Sequence, residues 1–239
     1  MPLPKISTPT YELVLPSSGK KVKYRPFLVK EEKILIMALE SEDTKQITSA
    51  IKSVLSDCIL SRGIKIDKLA TFDIEYLFLN IRGKSVGETV EVNVTCPDDG
   101  QTKVEMLIDI DSIKIQKDSN HSDIIKLDDS LSVQMNYPSL DQFIESNFDT
   151  SNNSQVDESL NVIMSCIKQV YNEEEAWEAS NCTKKELRDF VEQMNSKQFK
   201  QVENFFETMP KLSHKVKVMN PNTKVESEVV IEGLASFFS

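Results

Sequence analysis

Glycine is scarce in this chain, with six residues among 239, and neither GxxxxGK[ST] nor GxGxxG occurs. A backbone cradle for phosphate therefore has little to be built from. Histidine is rarer still: His121 and His214 are the two present, which leaves thiol or serine catalysis short of a base. The four cysteines, Cys58, Cys96, Cys166 and Cys182, form no CxxC pair, a spacing that suits reduced thiols in a reducing compartment. No apolar run reaches the roughly 18–20 residues that cross a bilayer, so no transmembrane segment is expected. The opening ten residues, broken by Pro2, Pro4 and Pro9, have no apolar h-region, and the expected location is the cytoplasm. Lysine and arginine (28) are outnumbered by aspartate and glutamate (38), giving a net charge of -10. An acidic surface repels phosphate backbones and anionic lipid, so no nucleic-acid partner is expected. The early basic cluster of Lys20, Lys21, Lys23, Arg25, Lys30 and Lys33 reads as a solvated face.

What is present is regular patterning. With 39% hydrophobic and 28% charged residues, the chain has apolar material for one large domain or two small ones. Tyr11–Leu15 and Val22–Arg25 flank Ser17-Ser18-Gly19-Lys20 and predict a hairpin. Val29–Leu39 predicts a helix, and Ile47, Ile51, Val54, Leu55, Cys58 and Ile59 form the 3.6-period stripe of a second. Ile74, Leu77, Phe78 and Ile81 mark a third. Val90, Val92, Val94 and Cys96 alternate with polar residues, Pro97-Asp98-Asp99-Gly100 turns the chain, and Val104, Met106, Ile108 and Ile110 alternate back. Beyond a polar stretch, Leu131–Tyr137 reads as a strand, Leu140–Ile144 as a short helix and Phe148–Gln155 as a loop. Helices are predicted at Asp157–Tyr171, Thr183–Met194 and Ser196–Met209, the second opened by a capping box at Thr183 and Glu186. A closing hairpin runs through Lys215–Met219 and Val225–Ile231.

Set side by side, the two halves match in order. Val54-Leu55-Ser56-Asp57-Cys58-Ile59 aligns with Val162-Ile163-Met164-Ser165-Cys166-Ile167. Ile74-Glu75-Tyr76-Leu77-Phe78 aligns with Val202-Glu203-Asn204-Phe205-Phe206, and Val92–Pro97 with Val216–Pro221. Tyr24-Arg25-Pro26 has its counterpart near Met135-Asn136-Tyr137-Pro138. The expectation is an α+β fold of two duplicated lobes, each of helices packed on β-hairpins. Residues 1–10 would form an extended arm, 11–115 the first repeat, 116–123 a linker containing His121, and 124–239 the second repeat with an apolar tail.

Reactive chemistry finds little support. Cys96-Pro97-Asp98-Asp99-Gly100 resembles half of a zinc knuckle, but Asp99 stands at the second thiolate position and the matching turn, Asn220-Pro221-Asn222, has no cysteine. Tetrahedral zinc needs four ligands, so a hairpin turn without metal is the reading. Acidic pairs such as Asp98/Asp99, Asp109/Asp111 and Asp128/Asp129 and the run Glu173-Glu174-Glu175 are accounted for by turns and solvated faces, since a glycosidase needs two carboxylates in one cleft with tuned pKa values. No catalytic residue, no metal ligand and no cofactor is assigned; the chain is read as non-enzymatic. Leu234, Phe237 and Phe238 close the chain, and Trp177, its single tryptophan, lies between two predicted helices. Each either packs into its own lobe or anchors a partner, where aromatic residues are frequent hot spots.

Three runs carry a family resemblance: Leu13–Leu39 with Tyr24-Arg25-Pro26-Phe27-Leu28-Val29; Arg82-Gly83-Lys84-Ser85-Val86-Gly87-Glu88 leading to Val94-Thr95-Cys96-Pro97; and Ile231-Glu232-Gly233-Leu234-Ala235-Ser236-Phe237-Phe238. Together these resemble the baseplate hub subunit and hub assembly protein family of T-even-like contractile-tailed phages (myoviruses). The resemblance implies a late protein in virion assembly, bound to other phage baseplate hub or tail proteins. Its role there would be a chaperone-like factor in the host cytoplasm or a structural subunit retained in the tail baseplate. It brings no catalytic residues.

Overall fold

The structure, a computed structural model, describes residues 6–41, 43–139 and 155–232. Tyr11–Val14 (β1) pairs antiparallel with Lys21–Tyr24 (β2), Tyr11 opposite Tyr24. The turn closes through Gly19, whose φ of +66° suits a residue without a Cβ. Val29–Glu40 (α1) and Thr44–Cys58 (α2) follow as packed neighbours, and α2 buries Val54, Leu55 and Cys58 along its predicted stripe. At the end of α2 the chain folds back onto β2: the Arg25 amide donates to the Cys58 carbonyl at 2.9 Å and the Leu60 amide to that of Lys23 at 2.8 Å.

Thr71–Val86 (α3) is the helix at the centre of this packing, with Phe72, Ile74, Leu77, Leu79 and Ile81 all buried. Gly83 lets it approach the following turn: a Cβ there would sit 3.2 Å from Ile110 Cδ1. The predicted alternation then gives Thr89–Thr95 (β3) and Lys103–Asp109 (β4), paired antiparallel with Val90, Val92 and Val94 buried. A short 3-10 turn, Ile110–Ser112, leads to Lys114–Gln116 (β5).

Among the described residues, the second unit is a four-stranded antiparallel sheet with three helices. Ile124–Lys126 (β6), Ser132–Met135 (β7), Ile167–Tyr171 (β8) and Ala176–Glu178 (β9) are ordered β6-β7-β8-β9. Gln155–Cys166 (α4) precedes β8, and Lys184–Glu192 (α5) and Ser196–Thr208 (α6) follow β9. The capping box at Thr183 and Glu186 is formed as predicted, and Asn195 with Gln198 makes a second one on α6. Val133, Cys166, Val202 and Phe205 lie at the centre of this core.

Lys211–Met219 (β10) and Glu226–Glu232 (β11) close the chain as the expected hairpin, and β10 also pairs with β5, Lys211 opposite Gln116. That pairing decides the partition. One compact unit runs through Gln116 and resumes at Lys211; the other is Lys117–Pro210. The units therefore do not follow the expected division into 11–115 and 124–239: the hairpin expected in a second lobe of 124–239 hydrogen-bonds to β5 and belongs with the first half.

Some of the residues aligned between the two halves nonetheless make similar local pairings. The Asn136 amide donates to the Cys166 carbonyl as Arg25 does to Cys58, and Met135 lies opposite Ile167 as Tyr24 does Ile59. Two elements differ from expectation. The helix predicted through Tyr171 ends at Cys166, because Ile167–Tyr171 hydrogen-bonds to β7 instead, and Trp177 lies in strand β9 rather than between helices. The predicted helix at Leu140–Ile144 and the loop from Phe148 lie outside the described residues, apart from Gln155, which opens α4.

Candidate interaction surfaces

The two knuckle-like turns face one another inside the first unit. In each, the fifth residue donates its amide to the carbonyl of the first, Gly100 to Cys96 and Lys224 to Asn220, both at 2.9 Å. Both fifth residues are left-handed, with φ of +65° for Gly100 and +63° for Lys224. Asn220 is fully buried. Its side-chain amide donates to Asp98 Oδ1 and Oδ2 at 3.0 Å and to Asp99 Oδ2 at 2.9 Å. Its carbonyl oxygen accepts the Asn222 amide at 2.9 Å. The Thr223 hydroxyl also donates to Asp98.

These donors hold both carboxyls below the ordinary aspartate range: the Thr223 hydroxyl and then Asn220 act on Asp98, and the Thr102 hydroxyl with the Gln101 and Thr102 amides acts on Asp99. Among the described residues no group of three or more His, Cys, Asp and Glu is arranged to hold a metal ion.

A second polar centre ties β2 to α1. Arg25 donates to Glu31 Oε1 at 2.9 Å, and Glu31 Oε2 accepts the Leu28 amide at 2.7 Å at the start of the helix. Burial alone would raise the Glu31 carboxyl, but the hydrogen bonds from Arg25, Leu28 and Lys30 outweigh it and hold the group at about 2. Arg25 is thus drawn out of the solvated basic face expected from sequence.

Burial pushes the Cys58 thiol beside this pair up to about 11 and the Cys166 thiol up to about 12. Thiols so protonated are poor nucleophiles. His121, expected in a linker, is instead packed: its ring nitrogens lie 3.0 Å from Thr208 Oγ1 and 3.0 Å from the Tyr137 hydroxyl, and its ring lies 5.1 Å from that of Phe205. Burial, with Lys117 nearby, lowers its pKa.

Apolar side chains turn outward in several places. Along α1, Val29 is 79% exposed, Ile36 49% and Met37 58%. Trp177 stands in the same cross-strand row as the buried Val170, Val133 and Ile125, yet on the outermost of the described strands it remains 43% exposed. Among the described strands β11 has β10 alone beside it, with Val230 exposed. An open groove of about 630 Å³ is lined by Lys52, Ile59, Lys65, Ile66 and Lys68, and Lys52 pairs there with Asp67 at 2.8 Å. No described helix is long and apolar enough to cross a membrane.

A family model described as T4 bacteriophage base plate protein matches residues 8–239. The chain belongs to that family. No curated protein and no solved structure matches it. The match spans both units and every described strand and helix of this baseplate protein.

Of the residues singled out in the sequence, Trp177 is a half-exposed residue of the second unit, whereas Leu234, Phe237 and Phe238 lie outside the described residues. Sequence reasoning missed the outward apolar residues of α1. Their signal is visible in hindsight, since Val29, Ile34, Leu35, Ile36, Met37 and Ala38 together exceed what one buried stripe can use.

Proposed function

We propose that this baseplate protein is a hub assembly protein that binds other baseplate or tail proteins as a chaperone-like assembly factor, without catalysing a reaction or carrying a cofactor. The observation that carries the reading is how its side chains are spent. The Asp98 and Asp99 carboxylates are held by Asn220, the Glu31 carboxylate by Arg25 and the His121 ring by Thr208 and Tyr137, and the Cys58 and Cys166 thiols are buried, while medium and large apolar side chains on α1 and β9 face outward. Outward apolar clusters on a folded chain mark contact surfaces. The three runs that resemble hub proteins support the hub assignment. The net charge of -10 favours protein over nucleic acid as partner. On this reading the chain works in the host cytoplasm during assembly.

The alternative is a structural hub subunit retained in the tail baseplate of the virion. It is favoured by the rigid joints within the first unit, where Asn220 fastens one hairpin turn to another and Arg25 fastens a strand to a helix.

A phage carrying a stop codon in this reading frame tests the proposal. Infection of a non-suppressing host should yield tails without assembled hubs, with full rescue when the protein is supplied in trans. Normal baseplates in the mutant lysate would refute it.

A further inference from the structure

Helix α1 spends one side on its own unit: Glu31 is fully buried, and Leu35 and Ala38 pack against Ile47 and Ala50 of α2. At 3.6 residues per turn the opposite side carries Val29, Lys33, Ile36 and Glu40 in one stripe, with Met37 at its flank. All five are exposed. The stripe has an internal symmetry: Lys33 stands three positions before Ile36, and Glu40 three after Met37. An antiparallel copy of the same helix, related by a two-fold axis between Ile36 and Met37, sets Ile36 against Met37 at the centre and Lys33 against Glu40 on each side. Among the described residues neither Lys33 nor Glu40 makes an ion pair.

We infer that the outward face of α1 is a two-fold docking surface for a second copy of this chain, with an Ile36–Met37 centre flanked by two Lys33–Glu40 pairs. A closed, isologous contact of this kind requires that one patch complement itself, and the opposite charges at equal distances from the centre meet that requirement. Every other register of the antiparallel pair sets Lys33 against something other than Glu40. A single helix pair is smaller than the roughly 800 Å² per partner of stable complexes, so the dimer is weak and populated at high local concentration, as in an assembling structure.

Sedimentation velocity of the full chain over a wide concentration series tests this. The wild-type chain should pass reversibly from monomer to dimer. Lys33→Glu faces Glu40 with a like charge and should weaken the dimer at least about tenfold; Lys33→Glu combined with Glu40→Lys should restore it. Ile36→Asp should abolish it while leaving the monomer folded with a cooperative melt, because the residue is already about half exposed in the monomer. A wild-type chain that stays monomeric at every concentration overturns the inference. So does a dimer insensitive to Lys33→Glu, or a double variant no better than the single. If the wild type stays monomeric while Ile36→Asp loses a different baseplate protein, the face belongs to that protein and the inference fails.

Discussion

Gln116 and Lys211 are opposite one another in an antiparallel strand pair although 94 residues separate them in sequence. Their Cα atoms are thus about 5 Å apart, and the whole unit Lys117–Pro210 enters and leaves through adjacent strands of the first unit. This is the geometry of an inserted domain. Replacing residues 117–210 by Asn-Gly, which suits a two-residue hairpin, should leave a folded first unit with dispersed amide resonances. The excised 117–210 should fold by itself, since its core of Val133, Cys166, Val202 and Phe205 is internal. Collapse of either piece to an unfolded spectrum would show that the units depend on each other.

Asn220 joins two turns by giving its amide protons to carboxylates and its carbonyl to backbone amides. Asn220→Ala should cost about 1–3 kcal/mol in urea unfolding, the penalty of leaving such groups unpaired. Asn220→Asp should cost more at neutral pH, because it adds a third carboxylate beside Asp98 and Asp99, and the gap between the two variants should close in acid. Equal losses at every pH would mean that the amide is not what binds the turns. At the corresponding fifth position, Gly100→Ala meets no neighbour within 4 Å, so its expected cost of about 1 kcal/mol is that of the left-handed backbone alone.

The Arg25–Glu31 pair sets an acid limit. Glu31 is held at about 2 against an ordinary 4.5. A depressed carboxyl contributes stability that is complete above its unfolded value and is lost as pH falls through its folded one. Thermal melts should therefore show Glu31→Gln less stable than wild type by about 3 kcal/mol near neutral pH, the scale for breaking a buried pair. The difference should shrink steadily from about pH 5 toward pH 2. A constant difference across that window would assign the stabilisation to packing instead.

Native thiol labelling near neutral pH should separate the cysteines. Cys58, Cys96 and Cys166 are buried and their thiols are pushed up by that burial, whereas Cys182 is partly exposed. One equivalent should react quickly, at Cys182, and three only after denaturation. Rapid reaction of Cys58 would contradict the packing of α2 against β2.

Much of the local structure was legible in the sequence because it is local. Val90, Val92 and Val94 alternate and are buried in β3; Val54, Leu55 and Cys58 recur at helical spacing and are buried in α2. Strand β8 was not legible: Ile167 and Val170 are three apart and continue the stripe of the preceding helix, and only pairing with β7 makes them a strand. Strand β9 is three residues long, too short for a periodic signal. The division into units escaped because it rests on the Gln116–Lys211 pairing, which no local pattern encodes. His121 and Arg25 looked like solvated polar residues; their partners, Thr208 and Tyr137 for one and the buried Glu31 for the other, are set by tertiary packing. The outward face of α1 was hidden inside a helix that reads as simply apolar.

The most direct test of the proposed role is quantitative mass spectrometry of purified phage particles beside lysates of infected cells. An assembly factor is predicted to be present in the lysate and absent from particles. A constant copy number relative to other baseplate proteins in purified particles would contradict that account and make the chain a structural subunit of the hub.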